Sequence, residues 1–428
     1  MHQIHLSWLV TGAGVLTLLA SAVVSSPVAT AADAGTGQAI APLTAPTRVP
    51  VQQDIGAHQT MLLPPSGKSP TWADIARVYR TLAPALRITQ TYATESVARG
   101  AGFQRLPGVQ AAMFVTFARQ AHGVSLNVSK PASLVYMEMG GPPLLAAVGY
   151  DMPATTTPQQ LDATFPASLA AWHQDLNVCL AGKHLSLSRA ADIHDQATCT
   201  GRGGAFAPAG RWTITAWIGQ PRLGLFQSQA VGMAGMNMGT TGTQQIMEMT
   251  QEPYQMEMLT TNGAPISWSD VSRVYKVLHR AEAANRKYQD VAVARKDGFV
   301  TAPFLYVPGQ GAHYVRASAL SLTNATAVDV KHPPVLVYNE INGTLKLSSL
   351  LYLMPISSTP RDLARVFPPS MASWHRHVNT CVVGVKVVPI HDAATCQTAS
   401  GFFLRDTGWM VHAWLFDTST GIFDVDKG

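Results

Sequence analysis

The chain repeats itself, and the repeat constrains its architecture more than any other feature. Trp72 and Trp268 open two segments that align along their length, at an offset of 196 for Arg77-Val78-Tyr79 against Arg273-Val274-Tyr275 and for Gly102-Phe103 against Gly298-Phe299. The offset is 202 for Val135-Tyr136 against Val337-Tyr338, Trp172-His173 against Trp374-His375 and Cys179 against Cys381. It is 197 for Ile193-His194-Asp195 against Ile390-His391-Asp392, Cys199 against Cys396 and Trp217 against Trp414. Solenoid periods run from about 20 to 50 residues. A period this long instead describes a tandem duplication of a domain of about 150 residues. The expected organisation is a first repeat domain over 67–228, a Met-rich linker over 229–262 and a second repeat domain over 263–428.

Each copy reads as a long N-terminal helix followed by antiparallel strands. In the second, Ser267 or Ser269 can cap a helix in which Val271, Val274, Tyr275, Leu278, Ala281 and Ala284 recur at helical spacing. That helix is predicted to run to Lys296, with Asp297-Gly298 ending it. Val335 to Tyr338 and Leu345 to Leu353 are strand-like, and Asn342-Gly343 between them is a hairpin signal. Helix first and antiparallel sheet afterwards imply an α+β fold. Residues 362–367 look helical, and after Pro368-Pro369 a helix over 370–380 is expected; an extended 374–379 would instead put His375, His377 and Asn379 on one face.

Each copy has two cysteines, Cys179 with Cys199 and Cys381 with Cys396. An even count in an exported chain implies disulfides, and the duplication selects one disulfide per copy. Export is expected because Leu6 to Val24 is uncharged and largely apolar, with small-residue sites at Ala20-Ser21-Ala22 and Ala29-Thr30-Ala31. Residues 1–31 are read as a signal peptide and 32–66, rich in Ala, Thr, Pro, Gly and Gln, as a flexible leader. A retained anchor is the alternative; once the signal is removed, no stable membrane span is expected. Charged residues make up 13% of the chain, against about 25% in soluble domains. No run of Lys and Arg marks a nucleic-acid partner.

The differences between the copies single out candidate ligands. His313 stands against Met113, His377 against Asp175 and His412 against Thr215, so the second copy has three histidines that the first, with a degenerate site, lacks. Imidazoles are common ligands for zinc, copper, nickel and iron, and three of them suit an open site. His375 is shared with His173, and Glu340 with Glu138; either can add a ligand or orient a ring. The helical expectation for 370–380 brings His377 to His313 and His412 without His375. Seven of the chain's 16 methionines fall between Met233 and Met258. Thioethers select Cu(I), and the glycines beside Met233, Met236 and Met238 suggest a loop that wraps an ion.

Gly309-Gln310-Gly311-Ala312-His313-Tyr314-Val315, Pro334-Val335-Leu336-Val337-Tyr338-Asn339-Glu340 and His412-Ala413-Trp414 resemble motifs (GxGxHYV, PxVLxYE, HxW) of a group of uncharacterised secreted bacterial proteins. Asn339 interrupts the second motif. The resemblance implies export and marks His313 and His412 as motif residues. The Met-rich stretch resembles, separately, those of periplasmic copper-resistance proteins. Together these readings suggest a periplasmic or secreted metal-binding protein whose partner is a metal ion, copper before zinc. Two alternatives stay open. One is a non-catalytic envelope or interaction protein with structural histidines. The other is a metal-dependent enzyme with Glu340 or Asp417 as general base.

Overall fold

A computed structural model describes residues 49–55, 58–106, 114–118, 126–138, 141–180, 185–186, 190, 192–220, 223–226, 244–251, 253–261, 264–301, 305–316 and 328–426. The first half opens with the hairpin β1 (Val51–Ile55) and β2 (His58–Leu63), then helices α1 (Trp72–Leu82), α2 (Leu86–Thr91) and α3 (Glu95–Gly100). Strands β3 (Gln104–Arg105), β4 (Phe114–Ala118), β5 (Ser133–Met137) and β6 (Leu144–Met152) follow. After helix α4 (Pro158–Thr164) come β7 (Trp172–Leu180), α5 (Gln196–Gly201) and β8 (Ala205–Ala216). The second half opens with the hairpin β9 (Gln244–Gln251) and β10 (Tyr254–Thr261), then α6 (Trp268–Asn285), α7 (Val291–Lys296), β11 (Tyr306–Val307), β12 (Gly311–Val315), β13 (Val335–Ile341) and β14 (Thr344–Met354). It closes with α8 (Pro360–Val366), β15 (His375–Val383), β16 (Lys386–Val388), α9 (Ala393–Thr398), β17 (Phe402–Asp406) and β18 (Trp409–Ala413).

The fold is α+β, with two antiparallel sheets. One runs β1-β2-β7-β8-β6-β5-β4-β3; the other runs β9-β10-β15-β18-β14-β13-β12-β11, with β16 and β17 added against β15. The expected flexible leader and the expected Met-rich linker therefore both contain hairpins. Part of the leader forms β1 and β2, and β2 pairs with β7 from Thr60 to Leu63. Part of the Met-rich linker forms β9 and β10, and β10 pairs with β15. The alternation Met-Glu-Met in both β9 and β10 has the period of a strand with one face in contact. On the other face, Arg376 of β15 bonds Glu257 at 2.6 Å and Asp406 at 2.9 Å and covers the ring of Trp409, fastening β10 to the sheet. The signal segment lies outside the described residues.

Ser267 caps α6 in a capping box with Asp270, settling the choice left open with Ser269. Val271, Val274, Leu278 and Ala281 are buried on one stripe. The helix is shorter than expected: it stops at Asn285, passes through a 3-10 turn and restarts as α7 from its cap Asp290. Tyr338 fixes the break by donating from its hydroxyl to the Tyr288 carbonyl at 2.6 Å. Asn342 (φ 52°) and Gly343 (φ 71°) make the expected tight turn between β13 and β14, both in the left-handed region that such two-residue hairpins require.

The halves share one hydrophobic core. Ile75, Val78 and Leu82 of α1 and Val271, Val274 and Leu278 of α6 belong to the same buried cluster, which reaches both sheets. At its middle α1 and α6 lie against each other. Tyr79 stacks on Tyr275 with ring centres 4.0 Å apart, Trp72 lies 5.6 Å from Tyr275, and Trp268 lies 5.7 Å from Tyr79. Trp72 Nε1 donates to Glu282 at 3.1 Å. The chain also crosses between halves at its ends, with Leu225 N–H donating to Ile266 O and Ile422 N–H to Pro70 O, each at 2.8 Å.

The disulfides are Cys179–Cys199 and Cys381–Cys396. Closing loops of 20 and 15 residues, each is worth about 3 kcal/mol by chain entropy. Gly204 and Gly401 sit against them: a Cβ on Gly401 would lie 2.7 Å from Cys396 Sγ and 2.8 Å from Cys381 Sγ. Gly401→Ala is therefore expected to lower the midpoint of thermal unfolding by several degrees, measured by circular dichroism. A midpoint equal to that of the unaltered protein would show that this loop shifts freely.

Candidate functional site

The sheets are covered by helices on one face, and the candidate ligands lie on the other face of the second sheet. Side chains directly opposite on antiparallel strands share a face. His313 of β12 faces Val337, His412 of β18 faces Leu351, and His375 of β15 faces Met410. Flat strands about 4.8 Å apart would leave β12 and β18 roughly 14 Å apart, since β13 and β14 intervene. The rings of His313 and His412 are nevertheless 5.7 Å apart, so the sheet curls toward this face. Val315, Val335, Val337, Leu351 and Met410 form a small apolar cluster of their own there.

The histidines form a row. His412 lies 5.8 Å from His375, nearly parallel at 3°, and His375 lies 5.6 Å from His377. Residues 375–383 are a strand and not the expected helix, because β15 is held between β10 and β18. His375 and His377 consequently share a face. His375 is the central ring and belongs with His313 and His412; His377 stands one place further out. His377 meets Tyr254 at 4.9 Å. Asn379 has φ 49°, which interrupts the alternation.

Hydrogen bonding distinguishes the rings. His313 Nδ1 lies 3.0 Å from Leu305 O and 3.2 Å from Gly311 O, and His375 Nδ1 lies 3.1 Å from Ser373 O. A backbone carbonyl at Nδ1 fixes the tautomer and leaves Nε2 as the lone-pair nitrogen, the arrangement that orients metal-binding imidazoles. His375 Nε2 is buried without a partner, as is Nδ1 of the half-buried His377. His412 is fully buried, and both its ring nitrogens lack a partner. One of them carries a proton, and a buried donor left unpaired costs about 1–3 kcal/mol.

Burial holds all four rings neutral. It pushes His375 down to about 4 against the opposing Ser373 carbonyl, and His377 to about 3 with help from its neighbour His375. It takes His412 well below the ordinary histidine value, aided by His313, and lowers His313 despite two backbone carbonyls. Neutral imidazole is the form that binds metal, so no proton has to leave first.

Two imidazoles on one zinc-like ion have ring centres about 5 Å apart, from a metal–nitrogen distance near 2.0 Å. The observed spacings of 5.7 and 5.8 Å are close to this. The rings are not aimed at a common point: among the described residues, no group of three or more His, Cys, Asp or Glu is placed to hold a metal ion. His412 instead lies flat between His375 and Trp414, the latter 5.5 Å away at 13°.

Other expected site residues lie elsewhere. Glu340 is exposed at the hairpin end of β13, opposite Leu345. Asp417 accepts the Ser419 N–H and hydroxyl at 2.9 and 2.7 Å, which closes a turn. Met233, Met236 and Met238 lie outside the described residues. The ladder also changes the partner of His313. His313 faces Val337 as Thr116 faces Val135, so Thr116 and not Met113 holds the corresponding rung. The methionines overlooked as site residues are those of β10: Met256 faces His377 and Met258 faces His375.

No family model matches the chain, and neither the curated proteins nor the solved structures compared with it contain a match.

Proposed function

We propose that this is an exported metal-binding protein, handling copper before zinc, built by tandem duplication, with the ion held in the second half by His313, His375 and His412. His412 carries the reading. A fully buried imidazole with neither nitrogen paired is costly, and a metal ion is one partner that removes the cost. His313 and His375 are held by backbone carbonyls, whereas no hydrogen bond fixes the His412 ring, so it is the ring that would turn out of its stack to complete the set. The matching strand orders and the shared rungs support duplication. The long N-terminal helix of each copy corresponds to α1 and α6 with the short helices that follow. Disulfides suit an oxidising compartment, and no described helix is long and apolar enough to cross a membrane. The Met-rich stretch and the motif resemblance to secreted proteins point the same way.

The test is equilibrium dialysis of the purified protein and of His412→Leu against Cu(II), Zn(II) and, under reductant, Cu(I). About one ion per chain is expected for the native protein and none in the variant, with unfolding midpoints compared to confirm that both are folded. The flat stack of His375, His412 and Trp414 favours one rival, an envelope or interaction protein with structural histidines. Folded native protein that retains none of the three ions would establish that rival and sink the metal reading.

A further inference from the structure

The cross-strand register places thioethers beside the histidines in a graded row. Met247 of β9 faces Met258 of β10, which faces His375; Met249 faces Met256, which faces His377. All six side chains lie on one face of the sheet. Exposure falls along the row, from 43% at Met247 and 38% at Met249 to a half-buried Met258 and 4% at Met256. At the inner end stand two imidazoles, each with an enclosed nitrogen that has no hydrogen-bond partner, His375 Nε2 and His377 Nδ1.

The same rungs of the first sheet show what this arrangement lacks. There Thr60 faces Asp175 and Leu62 faces His173. Hydroxyls partner these side chains: the Thr60 hydroxyl donates to Asp175 at 3.3 Å, and Thr213 Oγ1 lies 2.6 Å from His173 Nε2, which leaves only His173 Nδ1 without a partner. In the second sheet the hydroxyls are replaced by Met256 and Met410, whose sulfurs are weak hydrogen-bond acceptors and good ligands for soft ions.

We infer that Met247, Met249, Met256 and Met258 form a capture row for a soft monovalent cation, Cu(I), which passes inward from exposed thioethers to a mixed thioether and imidazole site at Met256, Met258, His375 and His377. This inference rests on the metal-binding reading above and specifies its oxidation state and route. Zn(II) takes thiolate, imidazole and carboxylate ligands and gains little from a neutral thioether, so the row favours Cu(I) over Zn(II). It also assigns capture to the strands rather than to Met233, Met236 and Met238. No electron transfer is required: the ion enters and remains as Cu(I).

The decisive variant is Met256→Leu with Met258→Leu, a near-equal-volume change that removes sulfur and keeps the packing. Cu(I) affinity is measured on the full chain by competition with a chromophoric Cu(I) chelator under reductant, and Zn(II) binding is measured in parallel. Ag(I), a redox-inert stand-in, is titrated into protein carrying 13C-labelled methionine methyls. The expected result is a loss of Cu(I) affinity of about tenfold or more in the variant with Zn(II) binding unchanged, and Ag(I)-induced shifts at the methyls of Met256 and Met258 in the native protein. A folded variant that binds Cu(I) as tightly as the native chain overturns the inference and leaves the three-histidine reading standing. If the native chain binds neither Cu(I) nor Zn(II), both fall together. Methyl shifts confined to Met233, Met236 and Met238 overturn the assignment to the strands.

Discussion

Taking the metal-free protein from pH 7 to pH 4.5 is expected to remove most of its stability. In the unfolded chain His313, His375, His377 and His412 titrate near 6.5. In the folded chain burial lowers all four, to about 4 for His375 and about 3 for His377. Above pH 7 both states are neutral and the rings contribute no pH dependence. Below 6.5 the unfolded state takes up protons that the folded state refuses, so stability falls by up to about 1.4 kcal/mol per pH unit for each ring. His375 and His377 alone give a slope of up to about 3 kcal/mol per pH unit, and His313 and His412 add to it in the same direction, against a total of about 5–15 kcal/mol for a typical protein. The loss continues until the folded-state values are passed. Urea unfolding at half-unit pH steps measures it, and His412→Leu should make the slope shallower. Unchanged stability down to pH 4.5 would contradict the buried, neutral state of the row. A metal bound to these nitrogens would move the transition to lower pH, since it competes with the same protons.

The second large effect is expected at the contact between α1 and α6. Tyr79→Ala with Tyr275→Ala deletes the central stacked pair and leaves Trp72 and Trp268 without their partners. Removing large aromatic groups from packed sites costs about 3 kcal/mol or more each when they are fully buried; these two are half-buried, so about 3–4 kcal/mol is expected for the pair. The cycle of single and double variants should be non-additive, because the two rings touch. Differential scanning calorimetry is expected to show the single transition of a shared core broadening or splitting in two. One sharp, unshifted transition would mean that the halves are coupled by the sheets and end segments alone.

Much of this architecture was legible in the residues. The disulfides, the Asn342-Gly343 turn, a serine cap on α6 and the α+β class are local signals, whereas the order was not legible: helix first was expected, and a hairpin precedes the helix in each half. The strand at His375 was not, because a segment of nine residues after Pro368-Pro369 fits either period and only its neighbours β10 and β18 decide. The hairpin of β9 and β10 was missed for a different reason. Its methionine content drew attention to composition, while the Met-Glu-Met alternation that reports a strand was on view. His313 and His412 stood out in the comparison of the two segments, whereas His375, matched by His173, stood only as an added ligand and needed the strand to place it at the centre. The misplacement of Met113 opposite His313 shows the limit of aligning copies across gaps, which pairing on the sheet corrects to Thr116.

The hydrogen bond from Ile422 to Pro70 ties the start of α1 to a residue close to the end of the chain. On a ribosome, Pro70 is made long before its partner exists. Closing this contact joins positions about 350 residues apart in sequence, the kind of long-range pairing whose loop-closure cost slows folding.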